Sequence, residues 1–243
     1  MIRFLYTLAA VLLIFTAAYA QEDLFNRAQA AYDDGRYGEA AMLYEKMIAD
    51  GFDNPEIHYN LGNACFKNSE LPNAVLHYRK ASYDLPRDPD IQANLHFALN
   101  AAGAAETIPS FIDRFFSSLS MQEWIITGTG GYLLLCAGLL VLLFVRKGRR
   151  QTLKFLFLPL FILAASFMGW RHWNDLRLHP EWVVTNKEAT ALFSPVEGST
   201  AHFKLPMAAL VKQRSSHGPG WIEVEYDGKR GWLKQDYIDM VSP

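Results

Sequence analysis

The sequence predicts a three-part chain: an all-α repeat solenoid, a two-helix transmembrane hairpin and a C-terminal all-β barrel. Three observations predict it. From Gln21 onward residue types recur at a spacing of 34, the period of a helix–turn–helix unit. Two apolar runs, Trp124 to Val145 and Phe155 to Trp173, flank a short basic segment. After His179-Pro180 the chain changes to short alternating runs broken by Gly and Pro.

Residues 1–20 have the layout of a secretory signal peptide. Arg3 gives the positive start, Leu5 to Phe15 the apolar core, and Ala18-Tyr19-Ala20 the small-x-small site before Gln21. An uncleaved anchor helix is the alternative. In 21–88, Ala28 aligns with Gly62, Tyr32 with Phe66, Ala40 with Ala74, Tyr44 with Tyr78 and Lys46 with Lys80. Pro55 aligns with Pro89 and Asn60-Leu61 with Asn94-Leu95, which carries the phase into one capping helix over 89–103. Small residues at 28/62 and 40/74 let paired helices approach, and the aromatics at 44/78 fill the gap to the next unit. Gly35 allows the turn of the first unit, and Ser69 replaces it in the second. Two repeats are fewer than a solenoid usually needs, so the capping helix or a partner must cover the exposed end.

The stretch HYNLGNACF (58–66), with Ala74, Tyr78, Ala81 and Pro86, resembles the tetratricopeptide (TPR) consensus. That resemblance implies a concave peptide groove lined by the first helix of each unit. Its positions here are Phe25, Gln29, Tyr32, Tyr59, Asn63, Phe66, Lys67 and Phe97, with Glu22, Asp33 and Glu56 beside them. Asn63 and Asn94 fall where peptide-binding members hold an extended backbone; bridging neighbouring helices is the competing role for Asn63. The lysines of a carboxylate clamp are missing, with Tyr59 in one such place, so a chain-terminal carboxylate is not the expected ligand.

Residues 104–123 lead to the membrane. Phe111, Ile112, Phe115, Phe116 and Leu119 fall on one helical face and predict an interfacial amphipathic helix. The first span, 124–145, carries no charge and at 1.5 Å per residue crosses a hydrocarbon core of about 30 Å. The second, 155–173, contains Pro159 and Gly169. Between them, in 146–154, lie Arg146, Lys147, Arg149, Arg150 and Lys154 with no acid, the mark of a cytoplasmic turn that leaves both flanking modules outside. A buried hairpin within a soluble domain is the alternative. Gly128, Gly130 and Gly131 are a weak signal of close helix contact. Cys136 sits mid-span, so it cannot meet Cys65 in a disulfide, and no Cys/His set has zinc spacing. No metal or cofactor is expected, and a net charge of −2 gives no reason to expect nucleic acid.

In 181–243 the runs Trp182 to Thr185, Ala189 to Phe193, Ala208 to Lys212, Trp221 to Tyr226 and Gly231 to Leu233 predict strands of a small barrel. Asp227-Gly228 predicts a hairpin turn. The order of ALFSP (191–195), FKLP (203–206), GWIEV (220–224) and GWL (231–233) resembles bacterial SH3-like (SH3b) domains. The resemblance implies a short turn at Gln235-Asp236-Tyr237 before a final strand, and a ligand face of Trp221, Trp232 and Tyr237. A core or rim role for these aromatics competes with it. The family's usual Arg-Ser-Gly-Pro segment is reduced to Phe193-Ser194-Pro195, which weakens inference to its ligand groove. His217 reads as a loop residue. Glu223, Glu225 and Asp227 read as a solvated face with no nucleophile–base pair beside them.

As a whole the architecture resembles the BatE-type proteins of bacterial aerotolerance (Bat) operons. That resemblance implies a cytoplasmic (inner) membrane protein acting in envelope stress or oxygen tolerance. Its implied partners are von Willebrand factor A-domain membrane proteins and, through them, a MoxR-type ATPase. The expected function is a non-catalytic adaptor on the periplasmic side, held to the lipid bilayer by the hairpin. The alternative is a sensor that binds cell-wall peptidoglycan through the SH3-like domain; an enzyme is the weakest expectation.

Overall fold

A computed structural model describes Tyr6 and residues 21–104, 110–144, 149–218 and 220–242. The signal peptide expected at 1–20 (Tyr6 apart), most of the linker before Phe111 and the head of the basic turn lie outside the described residues. The N-terminal part is helical: α1 (21–33), α2 (Tyr37–Ala49), α3 (Pro55–Lys67), α4 (Leu71–Asp84) and α5 (Pro89–Ala101).

The 34-residue period is visible atom by atom. Asn54 caps α3 by accepting from the Ile57 N–H at 3.0 Å, and Asp88 caps α5 by accepting from Asp90 and Ile91 at 3.0 and 3.1 Å. Proline follows each cap, where its missing N–H costs nothing. Gly35, Ser69 and Gly103 close α1, α3 and α5 with left-handed φ of 77°, 64° and 69°. Tyr44 donates to Gln29 Oε1 at 3.4 Å, and Tyr78 donates to Asn63 Oδ1 at 2.7 Å. A Cβ on Gly62 would lie 2.7 Å from the Tyr78 ring, so only glycine fits there. The core holds Ala28, Ala40, Tyr44, Leu61, Ala74 and Tyr78.

Between α3 and α4 lie two buried histidines. The His58 and His77 rings stack with centroids 5.1 Å apart and Nδ1 atoms 3.0 Å apart. His58 Nε2 lies 2.7 Å from Asp53 Oδ1 and donates to it, which leaves its Nδ1 to accept from His77.

Two helices are long and apolar enough to cross a membrane, α7 (Met121–Phe144) and α9 (Phe157–Leu178). They pack through small residues. Cβ atoms built on Gly128 and Gly131 would lie 3.1 Å from Ser166 and 2.8 Å from Ile162, and one on Gly169 would enter the Trp124 ring. Gly130 faces no neighbour. The helices outrun the expected spans, 124–145 and 155–173, although the sequence also has Ser120 starting the first helix, as it does. Ser120 and Glu123 form a reciprocal cap, with Ser120 N donating to Glu123 Oε2 at 2.9 Å, so α7 starts ahead of Trp124. Pro159 falls in the first turn of α9, where no intrahelical bond is lost, and no breaker stops the helix before Pro180. The rear of the expected basic turn is helix α8 (Arg149–Phe155) rather than loop. The helix expected to be interfacial, α6, is also shorter than expected, Phe111–Phe116, because the Ser117 and Ser118 hydroxyls bond back to the Asp113 and Phe115 carbonyls at 2.6 and 2.7 Å. Leu119 therefore leaves the helix, and Phe116 turns inward.

The C-terminal part is one antiparallel sheet of seven strands: β1 (Glu181–Val184), β2 (Thr190–Leu192), β3 (Ala201–Lys204), β4 (Leu210–His217), β5 (Trp221–Tyr226), β6 (Lys229–Lys234) and β7 (Ile238–Val241). Their order is β3-β2-β6-β5-β4-β1-β7. Asp227 and Gly228 both have positive φ, 48° and 72°, as a two-residue hairpin turn requires. A 3-10 turn at Gln235–Tyr237 precedes β7. The strand β3 was not among the expected runs, and β4 begins two residues later and ends five later than expected. Ala208 holds a left-handed φ of 63°, which delays β4, and the polar run that ends it is exposed, so alternation gave no signal.

The helical and β parts meet. Arg79 on α4 grips Glu181 on β1, with Nε to Oε2 at 2.7 Å and Nη2 to Oε1 at 3.1 Å. Tyr83 donates to the same Oε2 at 3.0 Å. Beyond them the Tyr83 ring meets Trp173 of α9 edge-on at 5.7 Å. The indoles of Trp124 and Trp173 donate to the Phe116 and Leu119 carbonyls at 2.9 and 3.0 Å, tying the hairpin's open end to its lead-in. The exposed end of the repeats is thus covered by this same chain, on α4 by β1, β7 and α7.

Two outcomes follow from these contacts. Arg79→Met leaves Glu181 buried without its partner and should cost about 3–5 kcal/mol; in calorimetry the helical and β parts should then melt apart rather than together. Burial lowers His58 and, with the His58 and Lys80 charges, carries His77 down to about 3, against 6.5 when unfolded. The unfolded chain therefore takes up more protons as pH falls from about 6.5 toward 3, and stability should drop across that window by on the order of 3 kcal/mol. Thermal melts at stepped pH should show the loss, and His77→Gln should flatten it.

Candidate interaction surfaces

The first helices of the units, α1, α3 and α5, share one side of the repeat stack and carry the expected groove residues. Aromatic contacts hold these in place. Phe25 meets Tyr44 edge-on at 6.0 Å, Tyr32 meets Tyr37 at 5.2 Å, Tyr59 lies 6.1 Å from Tyr78, and Phe66 lies 5.4 Å from Phe97. Phe97 is 63% exposed and Lys67 is exposed, while the rest are half-buried. Gln29 donates to Asp33 at 3.1 Å. At one end Phe25, Glu22, Asn54 and Glu56 line a hollow of about 240 Å³.

The two amides are brought together. Asn94 Nδ2 donates to Asn63 Oδ1 at 3.0 Å and to the Tyr59 hydroxyl at 3.2 Å, and Tyr78 donates to the same Asn63 oxygen. Asn63 does bridge helices, so its oxygen is spent. Its Nδ2 and the Oδ1 of Asn94 carry no hydrogen bond among the described residues. One free donor beside one free acceptor matches the alternating N–H and C=O of an extended backbone. Burial pushes the Tyr44 phenol up to about 12 and Tyr78 higher still, so both remain neutral donors. Burial also pushes the Cys65 thiol up to about 12, which leaves it unreactive.

In the sheet, Ile222, Val224 and Leu233 point into the core, and Trp221 and Trp232 fall on the opposite, half-exposed face of β5 and β6. Trp221 pairs with Lys234 and Glu223 with Trp232, which makes the two indoles diagonal neighbours. Lys234 Nζ lies 5.9 Å above the Trp221 ring and 2.6 Å from Glu197. His217 is not a loop residue: it ends β4, pairs with Trp221 and meets Trp232 edge-on at 6.0 Å. Its Gly-Pro-Gly sequel hid the strand end. Tyr237 makes no ring contact with either tryptophan among the described residues, though its phenol lies near Lys234. It packs against the core, and its carbonyl accepts from Thr185 at 2.8 Å.

The acids of β5 lie on the solvated side. Glu225 accepts from Arg214 at 3.0 Å and Arg230 at 2.9 Å, which hold its carboxyl below the usual range, and Ser215 donates to Glu223 at 2.6 Å. Among the described residues no group of three His, Cys, Asp or Glu side chains could hold a metal ion.

An outward Trp232 carries little of the fold. Trp232→Ser should change stability by no more than about 0.5 kcal/mol, whereas Ile222→Ala on the inner face should cost about 2–4 kcal/mol; urea melts of both variants measure the contrast. No family model matches the chain, and no curated protein matches it.

Proposed function

We propose that the chain is a membrane-anchored, non-catalytic adaptor whose helical repeats, of TPR type, hold an extended segment of a partner protein. The observation that carries this reading is the unspent donor and acceptor of Asn63 and Asn94, held by Tyr59 and Tyr78 within an aromatic groove. On this reading α7 and α9 cross the inner membrane, the basic segment before α9 stays in the cytoplasm, and both other parts stand on the periplasmic side. The chain would act with the membrane partners of a Bat-type system, von Willebrand factor A-domain proteins linked to a MoxR-type ATPase. A second reading has one observation in its favour: Trp221 and Trp232 are diagonal neighbours on the half-exposed face of the sheet, and on an SH3-like domain such a pair would suit peptidoglycan.

One experiment separates the two. Full-length protein in detergent is used to capture envelope proteins and, in parallel, is sedimented with purified wall sacculi. The adaptor reading expects defined membrane proteins to be captured, with at least tenfold loss for Tyr59→Ala/Asn63→Ala and none for Trp221→Ala/Trp232→Ala. Capture unaffected by the groove variant would sink it. Sedimentation that depends on the two tryptophans would favour the wall reading.

A further inference from the structure

Where the three parts meet, α4, α5, α6, the last turns of α9 and the strands β4 and β5 surround an open cavity of about 850 Å³. Most of its charged groups already have partners: Arg87 is held by Glu123 and donates to the Ser118 carbonyl at 2.9 Å. Glu181 is taken by Arg79 and Tyr83, Glu225 by Arg214 and Arg230, and Asp113 by the Ser110 hydroxyl at 2.7 Å and His172 at 3.8 Å. Asp227 is exposed on the β5–β6 turn. Arg114 and Lys212 also line the cavity, and neither side chain makes a hydrogen bond or ion pair with a described residue, although the Lys212 charge reaches Glu181 and helps hold its carboxyl low. Lys212 lies in register between Glu181 and Glu225, both already engaged. A half-buried ammonium without a hydrogen-bonding partner calls for an anion.

The position of the cavity selects the anion. One wall is the end of α9, at His172, Trp173 and Leu176, where the apolar span gives out. Another is α6, whose Phe111, Ile112 and Phe115 are 83%, 64% and 50% exposed, as suits a helix resting on lipid. At that level a bilayer presents phosphates. The volume exceeds what one phosphate needs and suits a phosphate with its headgroup. We propose that this cavity binds the phosphate of an anionic lipid headgroup, with Arg114 and Lys212 as its cations. The proposal rests on the membrane reading of α7 and α9 and is independent of the groove.

The test uses full-length protein in neutral detergent, with phosphatidylglycerol, phosphatidylcholine and inorganic phosphate as probes in native mass spectrometry and thermal unfolding. Phosphatidylglycerol should be retained at least tenfold more than phosphatidylcholine and should raise the melting temperature. Arg114→Gln/Lys212→Gln, which keeps side-chain bulk, should abolish the preference with an unchanged circular dichroism spectrum. Should that pair misfold, the single Arg114→Gln, on an exposed position, must reduce retention severalfold. Equal retention of the two lipids, a preference indifferent to these variants, or the same shift from inorganic phosphate alone overturns the proposal. Carbonate extraction of cell membranes reads the anchor separately: release of the protein removes the membrane reading and this proposal together, while resistance with no lipid preference removes this proposal alone.

Discussion

The arrangement of the whole molecule depends on one buried ion pair. Burial by itself would favour a neutral Glu181, but the Arg79 guanidinium, with help from Lys212 and Tyr83, more than offsets that and holds the carboxyl below its usual range. The pair survives desolvation because its geometry is complete: two parallel N–H···O bonds, with a phenol on the shared oxygen. Such a pair adds less to stability than apolar residues of the same shape would. Its value is selectivity, because an apolar junction between α4 and β1 could slide, whereas a bidentate fork accepts one register.

Helix α4 therefore has two duties on adjacent residues. Tyr78 reaches into the groove side and supports Asn63; Arg79, the next residue, faces the other way and holds β1. One turn further, Tyr83 links that contact to Trp173 at the end of α9. A two-unit repeat stack is short for an independent solenoid. Here it leans on the other two parts, which cover the helix face that a third unit would cover in a longer array.

What was legible in the sequence, and what was not, follows from the range of each interaction. The repeat period, the turns at Gly35 and Ser69, and the hairpin turn at Asp227-Gly228 are local, so residue spacing reveals them. The apolar runs revealed α7 and α9, and Ser120 marked where α7 begins, but the end of α9 was not legible, because no breaker stops it before Pro180. The groove positions were implied by the resemblance to TPR repeats and not by spacing alone, and the bridging role of Asn63 depended on a tertiary contact with Asn94 and Tyr78. The junction was invisible. Arg79 and Glu181 are 102 positions apart, each in an unremarkable charged setting, and nothing at either site announces the other. His217 was misread because its strand ends against a turn rich in glycine.

Because α4 is braced on both sides, the groove has no swivel. A flexible linker would let such a module search a hemisphere for its target. Here the bidentate pair, the edge-on aromatic contact and the two indole bonds set the tilt of the groove relative to α7 and α9. On the proposed adaptor reading, with those helices in a bilayer, the groove would be a gauge of fixed height and heading. A segment of suitable chemistry but wrong elevation above the lipid would then miss it, and stature would become part of recognition, alongside sequence.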